Sequence, residues 1–222
     1  MSKIIHLIRR ELLLQKRQRS AFIAVLLGAA SAVMLPNSPT FAVATVIMAV
    51  YFMTVYTNAF DFKYNAELGY RSLPVSRSTF VISRYVTVLV ITGAVLAVSA
   101  AVSFVFKQTG WLDVSYTWTW PLLCLSIGSS MVYFALFFPL YFQLGYMKSR
   151  WANYIAMLTV YGLLGTLQGY LPTADKPAVV VMSELLKSPV LIVGLLGGLV
   201  VFGLSIALSV KIYSRKEVTI SN

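Results

Sequence analysis

Charge is what this sequence has least of. Asp, Glu, Lys and Arg make up 11% of its 222 residues, against about 25% in soluble globular chains. Hydrophobic residues reach 59%. A compact domain of this length cannot bury that much apolar surface, because its surface grows along with its core. The same balance excludes a disordered chain and a nucleic-acid-binding domain. Cys124 is the only cysteine, which excludes an internal disulfide framework and any Cys-based zinc site. The single histidine, His6, lies among N-terminal bases, a solvated or headgroup position, and no metal set can be built from it. There is no Gly-x-x-x-x-Gly-Lys-Ser/Thr loop, so the chain carries no ATPase of the P-loop kind. No Asp, Glu, Lys or Arg sits in the middle of an apolar run, where proton- or ion-coupled carriers keep one. A Ser, His and acid set at membrane depth is likewise missing, as is the alternating ten-residue pattern of an outer-membrane barrel. What is left is an all-α integral membrane protein that binds no cofactor of its own.

Long charge-free runs are what it does have. They cover residues 20–60, 85–106, 114–147, 151–174 and 188–210. A charge at the bilayer centre costs about 2.5–3.5 kcal/mol, and about 20 residues cross the hydrocarbon. The first run is twice that length and is broken by Pro36-Asn37-Ser38-Pro39-Thr40, a tight exit turn. Six spanning helices follow, at about 20–35, 41–60, 83–106, 120–143, 152–171 and 189–212, within a single transmembrane domain covering 1–222. The first is short, and extends back to Arg17 if its bases snorkel.

With the N-terminus inside, fifteen of the eighteen bases face the cytoplasm and only Lys107, Lys176 and Lys187 face out. Four acids (Glu11, Asp61, Glu67, Glu217) fall inside and three outside, so the inner side carries the whole net charge of +11. This is the positive-inside pattern, with both termini cytoplasmic. A cleaved signal peptide is disfavoured. The basic start is about 19 residues long, and cleavage near Ala42-Val43-Ala44 would leave five helices.

Residues 2–19 read as an interfacial amphipathic helix. Ile4, Ile5, Ile8 and Leu12 form a stripe, Lys3, Arg10 and Arg17 lie opposite, and Leu7 and Leu14 spoil the pattern by falling on the basic face. The plainer reading is an orientation signal. Loop 61–82 is the longest inner connection. Pro74 stops regular structure there, and Ser76 is placed to cap the next helix. Its Tyr64, Leu68, Tyr70 and Leu73 suit a short helix docking on a partner, or equally a solvated connector. Pro139 should kink or loosen the end of the fourth helix. Phe52, Tyr56 and Phe60, with Tyr133, Phe137 and Tyr141, recur at four-residue spacing. They would wall a pathway for a greasy substrate, or simply pack. Gly165-x-x-x-Gly169 and Gly194-x-x-x-Gly198 permit close helix contact.

The loops carry a family resemblance. Asp61, Glu67 and Leu73-Pro74-Val75-Ser76-Arg77, leading into Val81-Ile82-Ser83-Arg84-Tyr85, resemble the first cytoplasmic loop of bacterial ABC-2 type transporter permeases. The nearest group is the small six-helix permeases that include the membrane subunits of phenol-soluble modulin exporters. Arg84 stands where that group more often has lysine. Pro139-Leu140-Tyr141-Phe142 with Gly145-Tyr146-x-Lys148-x-Arg150 is similar to its second inner loop.

The resemblance implies a non-enzymatic, multi-pass half-transporter in the bacterial cytoplasmic membrane. It would pair with a second permease, as homodimer or heterodimer, and with two separate P-loop ATPase subunits that hold ATP and Mg. Loop 61–82 would be the coupling element, with Asp61, Glu67, Leu73, Pro74, Ser76 and Arg77 as its residues. Gly145, Lys148 and Arg150 would form a second contact. Export of amphipathic or antimicrobial peptides, or of other hydrophobic molecules, is the expected activity. The alternative is a membrane protein outside that class: a secondary carrier, a membrane enzyme, or a structural protein binding a partner through loop 61–82.

Overall fold

The computed structural model describes residues 2–17, 20–34, 39–64, 76–110, 118, 120–167 and 189–215. Among them every regular element is an α-helix: α1 (Ser2–Arg17), α2 (Ser20–Met34), α3 (Pro39–Lys63), α4 (Arg77–Thr109), α5 (Trp120–Leu167) and α6 (Pro189–Arg215). Four segments are long and apolar enough to cross a membrane: Phe41–Lys63, Arg77–Thr109, Leu122–Ser149 and Leu196–Arg215. Phe22–Met34 is apolar but shorter. Helices suit these stretches because lipid offers no partner for an unpaired backbone group.

Helix ends are set by local chemistry. α4 begins at Arg77, as the expected Ser76 cap implies, and runs on into the span drawn at 83–106. Ser76 has extended backbone (φ −66°, ψ 146°), and its hydroxyl accepts the Thr79 N–H at 3.2 Å. At the other end Gly110 closes the helix with φ +64°, ψ 13°, in the left-handed region. α3 runs from Pro39 to Lys63 instead of 41–60, so helix takes in both margins of the 61–82 stretch, of which 65–75 lie outside the described residues. Asp61, placed by sequence in that loop, therefore belongs to a helix, as Arg84 does within the helix expected at 83–106.

The second inner loop is a larger correction. Residues 143–150 are helical, and α5 is interrupted only at Gly145, with φ 76° and ψ 175°. That combination is essentially confined to glycine. Tyr133 donates a hydrogen bond to the Asn153 side-chain carbonyl. Twenty residues of straight helix would hold those two about 30 Å apart, so one glycine folds the two arms of α5 toward each other. The second arm contains the helix expected at 152–171 and begins earlier, just past Gly145; 168–171 lie outside the described residues.

Pro139 neither breaks nor ends its helix. Having no N–H, it leaves the Ala135 carbonyl one turn back without its usual donor. The Ser205 hydroxyl of α6 donates to that carbonyl at 2.7 Å. Ser205 also bonds the Tyr85 hydroxyl at 2.7 Å, and Ser209 bonds it at the same distance. A buried polar knot thus joins α4, α5 and α6.

Among the described residues, α4 is central and packs against each of the other five helices. The core is built from Val43, Val46, Ile47 and Val50 of α3, Val81, Val88 and Ile91 of α4, and Tyr133, Phe134 and Phe138 of α5. At the far end from the loop, Ser31 of α2 bonds Ser99 of α4 at 2.6 Å, and the Trp118 indole N–H donates to Ser99 at 2.8 Å. Gly198 is buried, with Val132 3.9 Å from where a Cβ would stand, so this glycine lies at the packing of α6 on α5. Gly165 faces open space, and Gly169 lies outside the described residues.

Candidate functional site: the loop end of the bundle

One end of the bundle gathers the elements that the sequence assigns to the inner side. Phe62, at the end of α3, stacks on Tyr146, just past the Gly145 break, with ring centroids 5.2 Å apart. Tyr213, near the end of α6, lies 5.4 Å from both Phe80 of α4 and Phe142 of α5. The Arg77 guanidinium donates to the Ser214 carbonyl at 2.5 Å. A cation at a helix C-terminus satisfies an orphan carbonyl and opposes the negative end of the dipole. Both ends of the long loop are thereby tied to the bundle.

Beneath this end lies a buried ionic cluster. Arg84 is 4% exposed. Its Nε sits 3.0 Å from a Glu11 carboxylate oxygen of α1, and its Nη2 pairs with Asp61 of α3. Nη1 donates to the Asn58 side-chain carbonyl at 3.4 Å. The guanidinium carbon stands 5.2 Å from the Phe80 ring centroid, a cation–π approach. One arginine thus binds α1, α3 and α4 together. Asn58 Nδ2, in the same cluster, and Thr87 Oγ1, farther along α4, are buried with no hydrogen-bond partner among the described residues.

The expected site residues divide accordingly. Asp61 faces inward, onto Arg84, rather than out toward a partner. Arg77 is engaged with α6, and Ser76 is an exposed cap. Glu67, Leu73 and Pro74 lie outside the described residues. Gly145 is the break itself, Lys148 is exposed beside it, and Arg150 continues the helix. Phe62, Tyr64, Leu144 and Met147 add an exposed apolar rim. The two aromatic stripes part company. Tyr133 and Phe137 are buried in a ring ladder with Phe134 and Phe138, and Tyr141 stacks 5.8 Å from Phe137 at its edge. Core packing accounts for that trio. Phe52 and Phe60 are half-buried, and Tyr56 is exposed.

Sequence reading missed Glu11 and Arg84 as partners. On α1 the stripe expected to be apolar and membrane-facing does face away from the bundle: Ile5 and Leu12 are exposed. The buried face is instead Leu7 and Glu11, one turn apart. Leu7 was the misfit in the amphipathic pattern, and an apolar residue four before a carboxylate on the wrong face was the available signal.

A family model described as "ABC-2 family transporter protein" matches residues 6–214. The chain belongs to the ABC-2 transporter family. It is accordingly a multi-pass membrane subunit of a transporter, and this family usually works with ATPase subunits. No curated protein and no solved structure matches the chain. The family match spans α1 through α6, so in this ABC-2 chain the ionic cluster and the Gly145 break both lie within the matched residues.

Proposed function

We propose that this chain is the permease half of an ATP-powered exporter in the bacterial cytoplasmic membrane, with six spans and both termini inside. It works with two P-loop ATPase subunits and a second permease chain, identical or related. The whole chain acts as one transmembrane domain, and ATP and Mg are held by the partner. The observation that carries this reading is the convergence of both loop ends, the Gly145 break and the α6 terminus on one face. That face is the one the positive-inside count assigns to the cytoplasm. An ATPase docking there touches α3, α4, α5 and α6 at once. The resemblance of Leu73-Pro74-Val75-Ser76-Arg77 to the small six-helix permeases favours amphipathic peptides as cargo, with other hydrophobic molecules as the wider class. Phe52, Tyr56 and Phe60 are the aromatic side chains still available to a pathway.

The test is reconstitution with a P-loop ATPase that has no membrane helices of its own and is encoded beside this chain. The two should co-purify, and inside-out vesicles should take up an amphipathic helical peptide only with ATP, whether or not the proton gradient is collapsed. Leu73→Ala should weaken that association. Uptake by this chain alone, driven by a pH gradient, would overturn the proposal.

A further inference from the structure

We propose that the outward face of α1 is a binding surface for anionic phospholipid. The Arg9 guanidinium holds the lipid phosphate, and Ile5, Leu12 and Leu13 lie against the upper part of the acyl chains. The proposal goes beyond the transport reading and takes from it only that α1 lies on the inner side.

The rotation of α1 comes first. Glu11 is buried, with a carboxylate oxygen 3.0 Å from Arg84 Nε of α4. Leu7, one turn earlier, is buried on the same face. A charge taken out of water costs free energy unless it is paired, so this pair fixes which side of α1 meets the bundle. At about 100° per residue, the direction opposite Leu7 and Glu11 passes through Arg9. Ile5 and Leu13 stand one turn before and one turn after it, 60% and 56% exposed, and Leu12 stands three residues on. Arg9 is itself exposed. Periodicity alone put Lys3, Arg10 and Arg17 on the charged face; burial of Glu11 sets Arg9 in the middle of the exposed apolar patch.

An arginine so placed suits one kind of ligand. Water would solvate the guanidinium but leave Ile5, Leu12 and Leu13 uncovered, and hydrocarbon would cover them but strand the charge. A phospholipid at the membrane boundary answers both, because the arginine stem lies along apolar groups while its planar fork pairs with two phosphate oxygens. Charge then selects among lipids. α1 holds five bases (Lys3, Arg9, Arg10, Lys16 and Arg17) and a single acid, Glu11, which is turned inward. No described acid pairs with Arg9. A lipid of net negative charge is therefore favoured over a zwitterionic one, about fivefold per base near the surface. A second copy of this chain is a poorer occupant, since a twofold contact through the patch sets Arg9 close to its own copy.

Quenching by brominated lipid tests this in the full chain, in nanodiscs of equal parts phosphatidylcholine and phosphatidylglycerol. A bimane is attached at Leu13→Cys in a Cys124→Ala background, and one lipid or the other is replaced by its acyl-brominated form. Brominated phosphatidylglycerol should quench severalfold more strongly than brominated phosphatidylcholine. A bimane at Leu204→Cys, exposed on α6, should show no such preference. Arg9→Gln should bring the two lipids level at position 13, and Arg9→Lys should keep part of the difference. Lys211→Gln, which removes an exposed base of α6, should keep all of it. Inorganic phosphate should weaken the preference no more than sodium chloride at equal ionic strength. Equal quenching by the two lipids with Arg9 present, or a preference that survives Arg9→Gln, overturns the proposal. So does specific loss in inorganic phosphate, which makes this a site for the free ion. Quenching by neither lipid also overturns it, and gives the face to water or to a protein partner. Nanodiscs offer the same lipids on both sides, so the result stands whether or not the inner-side assignment and the transport reading hold.

Discussion

Ser205→Ala is the substitution whose effect follows most directly from the structure. The Ser205 hydroxyl supplies the donor that Pro139 cannot, at 2.7 Å from the Ala135 carbonyl. Deleting it leaves a buried carbonyl unpaired, a loss of about 1–3 kcal/mol in soluble proteins. Hydrogen bonds in membrane bundles average about 0.6 and reach about 1.7 kcal/mol, because the unfolded reference in the membrane also finds partners. About 1 kcal/mol is the expected destabilisation. Tyr85 loses one of its two serines but keeps Ser209 at 2.7 Å, so little of the loss should come from that side. Pro139→Ala makes the reasoning testable, since it returns an N–H to the Ala135 carbonyl. In the Pro139→Ala background, Ser205→Ala should cost only a few tenths of a kcal/mol. Both backgrounds can be measured by equilibrium unfolding in mixed detergent micelles, followed by tryptophan fluorescence. The expected coupling energy is then most of the single-mutant effect. An equal loss in the two backgrounds would show that Ser205 acts through Tyr85 or through packing, and the account of Pro139 would be wrong.

Other outcomes follow from the same contacts. Arg84→Met removes the guanidinium that pairs with buried Glu11 and Asp61, and should destabilise the bundle by about 3–5 kcal/mol, lowering the yield of monodisperse protein in size-exclusion chromatography. Gly145→Ala meets no neighbouring atom within 4 Å, so its effect should be backbone strain alone, about 1–3 kcal/mol, with a widened angle between the arms of α5 visible in spin-label distances. Cysteines at Ser38, Asp113 and Asp175 should label from outside the cell, and those at Ser76 and Lys148 only from inside. Position 148 is used rather than Ser149, which is 3% exposed and would be silent from either side.

Much of the helix inventory was legible because lipid imposes a simple rule: no unpaired backbone and no uncompensated charge in the hydrocarbon. The charge-free runs therefore located α2, α3, α4, the first arm of α5 and α6. The Ser76 cap was legible too, since capping is local chemistry between a hydroxyl and an N–H three residues on. The motif around Leu73 pointed to the family that the match over 6–214 establishes. Gly145 was not recognised as the whole of the second inner connection. A loop is expected wherever charges resume, and only the backbone angles show that one glycine suffices. Pro139 was read as a weak point because its missing donor is visible in sequence, whereas the serine that supplies the donor lies 66 positions away, on another helix.

The sequence by itself determined that the chain is membrane-embedded and helical, where its apolar segments lie, and on which connections its bases collect. Each of these depends on transfer of residues from water to lipid or on contacts within one turn, and both are read from neighbours in the chain. Only the tertiary structure decided that Asp61 looks into the bundle, that Arg77 reaches the end of α6, that Tyr133 and Phe137 are core, and that Glu11 belongs with Arg84. Those outcomes hinge on which side chain meets an opposite charge, a free carbonyl or a ring across 20 to 140 residues of chain. The chain's order of amino acids holds the partners, but the packing of α4 among its neighbouring helices selects the pairs.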